Sequence, residues 1–458
     1  MTMSRSPLIL LMVLIASSLT VDAQSKNRDR YFDDFRGQSF CASRQRGPQG
    51  SCCSDRIDEC SVPIAGTLCY CDEFCDQHIN PDCCPDYERV CLGAPEPIEA
   101  RCDIGNGILI SSFEEAKSNC NLCKCRANGV ADCEKDACLS DDDVINRVNR
   151  DSSSLGWKAF NYSEFYGRKL KEGFEYRLGT FEPRIRVKSM SRLTNRLEDL
   201  PREFNSLSNW AGSISEIRDQ GWCGSSWAVS TASVASDRFG IKAKTAADLS
   251  AQHLLSCVRH QQGCHGGHLD NAWRYLNRYG VADEDCYGYE AEVGRCRVKK
   301  GDNLQTLMCS IPEERAHDGF YKMGPAYSLN NETDIMWEIF HYGPVQATMW
   351  VYPDFFNYRS GIYRRSNHGE NAKGFHSVRL VGWGEERFGW QTTKYWVAAN
   401  SWGRWWGESG FFKILRGENE CNIENYVLSS LADVHEGKPN SRQVKRAGRR
   451  ASRNSQIN

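Results

Sequence analysis

After residue 19 the sequence contains no apolar run approaching the ~18–20 residues needed to cross a bilayer. A membrane anchor in the body of the chain is therefore excluded. The one early run, Leu8 to Leu19, is short, follows Arg5 and leads into Val21-Asp22-Ala23. A short apolar core ending at a small residue reads as a secretory signal peptide spanning 1–23. Charge of one sign is also missing: the net charge is −2, and no nucleic-acid partner is expected. Acid is absent from 435–458 after Glu436, where Lys438, Arg442, Lys445, Arg446, Arg449, Arg450 and Arg453 stand among Ser, Asn and Gly. Such a tail is expected to be disordered. It reads either as an attraction to sulfated glycans or as a solvated end.

Cysteine, by contrast, is abundant. Of 23 cysteines, sixteen fall between Cys41 and Cys138 and seven between Cys223 and Cys421. That density belongs in an oxidising compartment, where disulfides persist, so the expected location is the extracellular space or matrix. The odd count leaves at least one thiol free or paired with another molecule. Secretion would make two sequons usable glycan acceptors, Asn161-Tyr162-Ser163 and Asn331-Glu332-Thr333. No cofactor or metal site is expected.

The 458 residues suffice for several domains. The region 37–95 is spaced Cys69-X-Cys71-X3-Cys75-X7-Cys83-Cys84-X6-Cys91, with little room for helix or sheet. A module so small needs crosslinks to hold it. With Cys71-Asp72-Glu73 and Cys83-Cys84-Pro85-Asp86-Tyr87 it resembles the somatomedin B domain, an extracellular protein-binding knot; its connectivity stays open. In 100–139, Cys120-X2-Cys123-X-Cys125 resembles part of a von Willebrand type C module. Zinc is a minor alternative reading of that spacing. No cysteine follows until Cys223. Within 140–199, Val144, Ile145 and Val148 recur at helical spacing. With Leu178-Gly179-Thr180-Phe181 this stretch resembles a cathepsin B propeptide, and Leu200-Pro201-Arg202-Glu203-Phe204 its junction with the enzyme domain.

In 200–434, Ser226 to Phe239 is rich in Ala and Ser and suits a buried central helix, whereas Phe375–Val381, Tyr395–Ala398 and Phe411–Leu415 are β-prone. Helices followed by strands imply an α+β architecture. Gln220-Gly221-Trp222-Cys223-Gly224-Ser225-Ser226-Trp227 fits the papain and cathepsin signature except at the nucleophile, where Ser226 stands for cysteine. His376 lies about 150 residues downstream, within the family's window, in Gly374-Phe375-His376-Ser377-Val378-Arg379-Leu380-Val381-Gly382-Trp383-Gly384. The resemblance implies a two-lobed papain-like cysteine-protease fold, a helical lobe and a β-barrel lobe preceded by small disulfide-rich modules. It assigns Gln220 and the Ser226 N–H as oxyanion donors, His376 as base, Asn400 as its orienter and Trp402 as the shield of that bond. Phe411 to Gly417, Cys421-Asn422-Ile423-Glu424 and Cys264-His265-Gly266-Gly267 resemble cathepsin B most closely. That match implies a Cys223–Cys264 disulfide and puts Cys421 outside the usual pairs; His265 and His268 read as surface side chains rather than metal ligands. Two departures stand out: Asp283 to Lys300 lacks the occluding-loop histidines, and Tyr426 replaces the acid of the specificity pocket.

A papain-type thiol is held near pKa 3–4 as a thiolate beside imidazolium. A hydroxyl cannot form that resting pair, and the neutral amide of Asn400 lacks the charge that aspartate gives a serine protease. Oxygen also reaches less far than sulfur, and a misplacement of ~1 Å can cost ~100-fold. The expectation is a secreted pseudoprotease whose cleft and knot bind other proteins. Signal peptide, knot, propeptide-like segment and serine-bearing domain, in that order, resemble the tubulointerstitial nephritis antigen family. That family implies a non-catalytic matrix glycoprotein with laminin, collagen, integrin or Wnt-type partners. The alternatives are a weak hydrolase using Ser226, or a decoy inhibitor of cathepsins acting through the propeptide-like segment.

Overall fold

The computed structural model describes Phe35 and residues 38–44, 50–76, 82–94, 100–183, 187–188, 200–299, 302, 307, 319–368, 371, 373–388 and 391–434. The signal-peptide and basic-tail readings lie outside them. The chain divides into two compact units, Met1–Ala100 and Arg101–Asn458.

In the first unit the disulfides are Cys41–Cys71, Cys52–Cys91, Cys53–Cys60, Cys69–Cys84 and Cys75–Cys83. Their sulfurs form most of its small core, with Ile64 and Tyr87 between them. A hairpin, Ser61–Ile64 against Thr67–Tyr70, and a five-residue helix, Tyr87–Cys91, fit among them. The spacing left more room for regular structure than expected. Asp86, buried just before that helix, accepts hydrogen bonds from the Cys41 and Ala42 amides at 2.9 and 3.1 Å.

The second unit begins with small antiparallel sheets stapled by Cys102–Cys125, Cys120–Cys138 and Cys123–Cys133. Because Cys120, Cys123 and Cys125 are all disulfide-bonded, the zinc reading of their spacing is replaced by crosslinks. Helix α1, Asp142–Arg150, buries Val144, Ile145 and Val148 on one face. Its N-terminus is capped by Asp141, which accepts from the Asp143 and Val144 amides. Asp141→Ala should cost about 1 kcal/mol, the usual worth of such a cap, read as a lower denaturation midpoint. A second helix, α2, covers Leu170–Tyr176.

The enzyme-like domain has two cores. One surrounds α3 (Ser226–Ala243), α4 (Ala251–Cys257) and α5 (Leu269–Arg278). Helix α3 is buried nearly all round, and its Ser230, Thr231, Ser233 and Ser236 hydroxyls bond carbonyls one turn back. Small side chains with internally satisfied hydroxyls let a helix lie inside a core without leaving polar atoms unpaired.

The other core lies on a nine-stranded sheet, with helix α6, Glu332–Tyr342, against it. Its strands are β1 (Trp157–Ala159), β2 (Phe204–Asn205), β3 (Tyr327–Leu329), β4 (Val345–Val351), β5 (Tyr358–Tyr363), β6 (Gly374–Phe388), β7 (Gln391–Ala399), β8 (Phe411–Leu415) and β9 (Val427–Ser429). The order is β3-β9-β4-β6-β7-β8-β5-β1, with β2 on β6, and all pairs are antiparallel except β5 with β8. Strand β1 comes from the propeptide-like segment. Trp157, Tyr162, Phe165, Leu170 and Leu178 of that segment share the sheet's core. This segment is built into the domain.

Candidate active site

Ser226 opens α3, where the chain is held by the Cys223–Cys264 disulfide. The Gly224 amide donates to the Cys264 carbonyl at 2.7 Å, and a Cβ there would stand 2.3 Å from that oxygen. Only glycine permits this approach. His376 comes from β6 in the facing lobe, opposite Met349 of β4. Asn400 follows directly on β7. Ser226, His376, Gln220 and Asn400 are all buried.

The imidazole donates from Nε2 to Asn400 Oδ1 at 2.8 Å, and the Ser401 amide donates to that same oxygen. Trp402, wholly buried, packs on the ring with centroids 5.4 Å apart. The other nitrogen of His376, Nδ1, is buried without a hydrogen-bond partner. Burial pushes the imidazole down to about 4, the Asn400 bond only partly opposing it, so the ring is neutral at pH 7.

Ser226 is turned elsewhere. Its hydroxyl lies 2.8 Å from Thr180 Oγ1, within the Leu178-Gly179-Thr180-Phe181 stretch. Both expected oxyanion donors are occupied: the Ser226 amide at 3.2 Å and Gln220 Nε2 at 3.0 Å donate to the Leu178 carbonyl. Gln220 is itself oriented by donation to the Cys223 carbonyl and by the Ser401 hydroxyl on its Oε1. On either side the segment is pinned by its backbone. Trp402 Nε1 donates to the Arg177 carbonyl at 2.6 Å, the Gly267 amide to the Gly179 carbonyl, and the Phe181 amide to the Gly267 carbonyl. Arg177 is buried, ion-paired with Asp219 at 3.0 Å, and lies over the Trp222 ring at 4.6 Å. Burial draws its guanidinium pKa down, against the pull of Asp219.

The cleft read from the sequence as a binding surface for other proteins is therefore filled by the chain's own residues Arg177 to Phe181. The physical reason is that the segment satisfies the same donors a substrate carbonyl would use. His265 is exposed, as expected of a surface side chain, but His268 is half-buried with its ring against Phe181 at 5.1 Å. Sequence reasoning missed Thr180, Ser377, Arg177 and Asp219 as members of the site. The Gly-Thr-Phe stretch was the available signal, since it marks the propeptide-like chain nearest the serine.

Among the described residues the free cysteine is Cys421, buried, and burial beside Glu420 pushes its thiol well up. A second disulfide of the domain is Cys257–Cys296. Tyr426 packs half-buried on the helical core. Asn331 is exposed at the start of α6, whereas the half-buried Asn161 donates its amide to Asp142 and accepts from Ser140. Among the described residues no helix is long and apolar enough to cross a membrane.

The profile of the papain family cysteine proteases matches residues 200–431. A tubulointerstitial nephritis antigen-like protein of Mus musculus is 40% identical over 449 residues, covering 92% of this chain and 96% of that relative. The tubulointerstitial nephritis antigen of Bos taurus is 40% identical over 414 residues, covering 84% of this chain and 86% of that relative. Among solved structures, procathepsin B S9 from Trypanosoma congolense superposes with a TM-score of 0.56 at 32% identity, over 65% of this chain and 100% of that one. Procathepsin L2 of Tenebrio molitor, at 24% identity and TM-score 0.52 over 63% of this chain and 89% of that one, shares the fold.

Proposed function

Since the chain belongs to the papain family of cysteine proteases and, with its near full-length relatives, to the tubulointerstitial nephritis antigen family, we propose that it is a secreted, non-catalytic member that binds extracellular proteins. The observation carrying this reading is the hydroxyl of Ser226 at the nucleophile position, hydrogen-bonded to Thr180. Activation of an alcohol needs a base beside it and a charge to stabilise the resulting imidazolium. Here the base has a pKa of about 4 and its orienter is an uncharged amide. A serine triad with asparagine in the third place loses about 10⁴-fold in kcat, and the occupied oxyanion donors lower the rate further.

Eight disulfides within 41–138 support residence in an oxidising space. The signal-peptide reading of 1–23 supports the same location. The partners proposed are matrix proteins of laminin or collagen type, integrins or Wnt-type ligands, with sulfated glycans on the basic tail.

Purified full-length protein should hydrolyse dipeptidyl and protein substrates at least about 10⁴-fold more slowly than an active papain-type enzyme. Cleavage at cathepsin-like rates would end this reading. Fluorophosphonate labelling of Ser226 that disappears in His376→Ala would favour the weak hydrolase instead.

A further inference from the structure

The serine at 226 has a use of its own. Thr180 Oγ1 donates to Ser377 Oγ at 2.7 Å, so its single proton is committed. The 2.8 Å contact between Thr180 and Ser226 must then carry the proton of Ser226. Ser230 donates to the Ser226 carbonyl at 2.7 Å, and the 2.8 Å contact between Ser377 and Ser230 therefore carries the proton of Ser377. Gln346 Nε2 closes the set by donating to Ser230 at 2.6 Å. Each hydroxyl has one proton to give, and only one direction round the ring satisfies all four: Ser226 to Thr180, to Ser377, to Ser230, and back to the carbonyl of residue 226. All four side chains are buried. The proton of Ser226 thus points into the propeptide-like segment, and Nδ1 of His376 is left without a hydrogen-bond partner.

We infer that Ser226 is a positioning residue for the chain's own Arg177–Phe181 segment, a hydroxyl latch that makes the segment a permanent part of the domain and closes the inherited cleft to other ligands. This rests on the non-catalytic reading of Ser226 and deepens it by naming what the oxygen does. A thiol in its place would be a weak donor on a larger atom, and the ring would lose its first link. The backbone fit is equally tight. Gly179 has φ +110°, and a Cβ there would stand 1.9 Å from the Gly224 carbonyl oxygen. Partners of the domain consequently dock outside the groove.

Hydrogen exchange of the full-length protein, read by mass spectrometry on peptides covering 177–181, tests the latch. In the wild type these amides should exchange as slowly as those of β6. Ser226→Ala and Thr180→Val should each accelerate them about 10- to 100-fold, as expected for one or two buried hydrogen bonds left unmade. Protection of β6 and of α3 beyond its first turn should not change, which reports that the domain stays folded. Gly179→Ala, which the backbone cannot accommodate, should release the segment outright. Wild-type exchange at free-peptide rates, or protection unaltered in Ser226→Ala, would overturn the inference. Brisk peptide hydrolysis by the wild type would instead overturn the functional reading, so the two failures are distinguishable.

Discussion

Arg379→Met is expected to cost the enzyme-like domain about 3–5 kcal/mol, the usual loss when one member of a buried ion pair is removed. Arg379 Nη1 lies 2.8 and 2.7 Å from the two carboxylate oxygens of Asp237, and both side chains are almost wholly buried. Burial pushes the Asp237 carboxyl upward, while Arg379 and the amide and hydroxyl of Ser215 draw it back. The pair matters for the site because of where its members sit. Asp237 is on α3, the helix that Ser226 opens, and Arg379 is on β6, the strand that carries His376. Losing the cation strands a carboxylate between the lobes. The double variant Asp237→Leu with Arg379→Met should lose less than the single one, because no charge remains unpaired. Denaturant midpoints of the three proteins decide this, and a single variant within 1 kcal/mol of wild type would contradict the assignment.

Acidification should destabilise the domain through two histidines. Burial pushes both His376 and His253 from the ordinary 6.5 down to about 4. His253 shows why in its contacts: Nδ1 accepts from the Ala282 amide at 3.0 Å, leaving Nε2 to donate to the Tyr275 hydroxyl. Protonating Nδ1 would set two donors against each other. A folded pKa below the unfolded one means the unfolded chain binds more protons between pH 6.5 and pH 4. The stabilising effect of the neutral rings is complete above pH 6.5 and is lost as pH falls towards 4, by about 3 kcal/mol for each ring at 1.36 kcal/mol per pH unit. The buried carboxyls of Asp237 and Asp354, themselves pushed upward by burial, act in the opposite sense, so the informative quantity is the difference between proteins. His253→Gln should take up nearly one proton fewer than wild type on unfolding at pH 5, measured from the slope of stability against pH. Equal slopes would show that His253 is already charged in the fold.

Residues close in sequence or set in a strong local context made much of the site legible. Cys223, Gly224, Ser225 and Trp227 frame position 226 within a handful of residues. The long context around His376 and the Asn400-Ser401-Trp402-Gly403 run identify their positions by pattern alone. The structure brings Gln220, His376 and Asn400 into one buried cluster around Ser226. What that cluster touches was not legible. Thr180 reaches Ser226 across 46 residues, and Ser377 reaches Ser230 across 147. Isolated hydroxyls of common residue types leave no pattern at such distances.

The amino-acid sequence by itself determined the α+β enzyme-like domain, the serine in place of the thiol and the abundance of crosslinks, because each rests on composition or short-range spacing. Tertiary structure alone decided the pairing among the cysteines of 41–91, since many pairings are compatible with one spacing and only close approach of the sulfurs selects among them. It decided, too, that the groove holds the chain's own Leu178 carbonyl. That outcome depends on the Ser226 amide and Gln220 Nε2 meeting a carbonyl that lies 42 residues before Gln220, which only the packing of α3 against the segment before it can set.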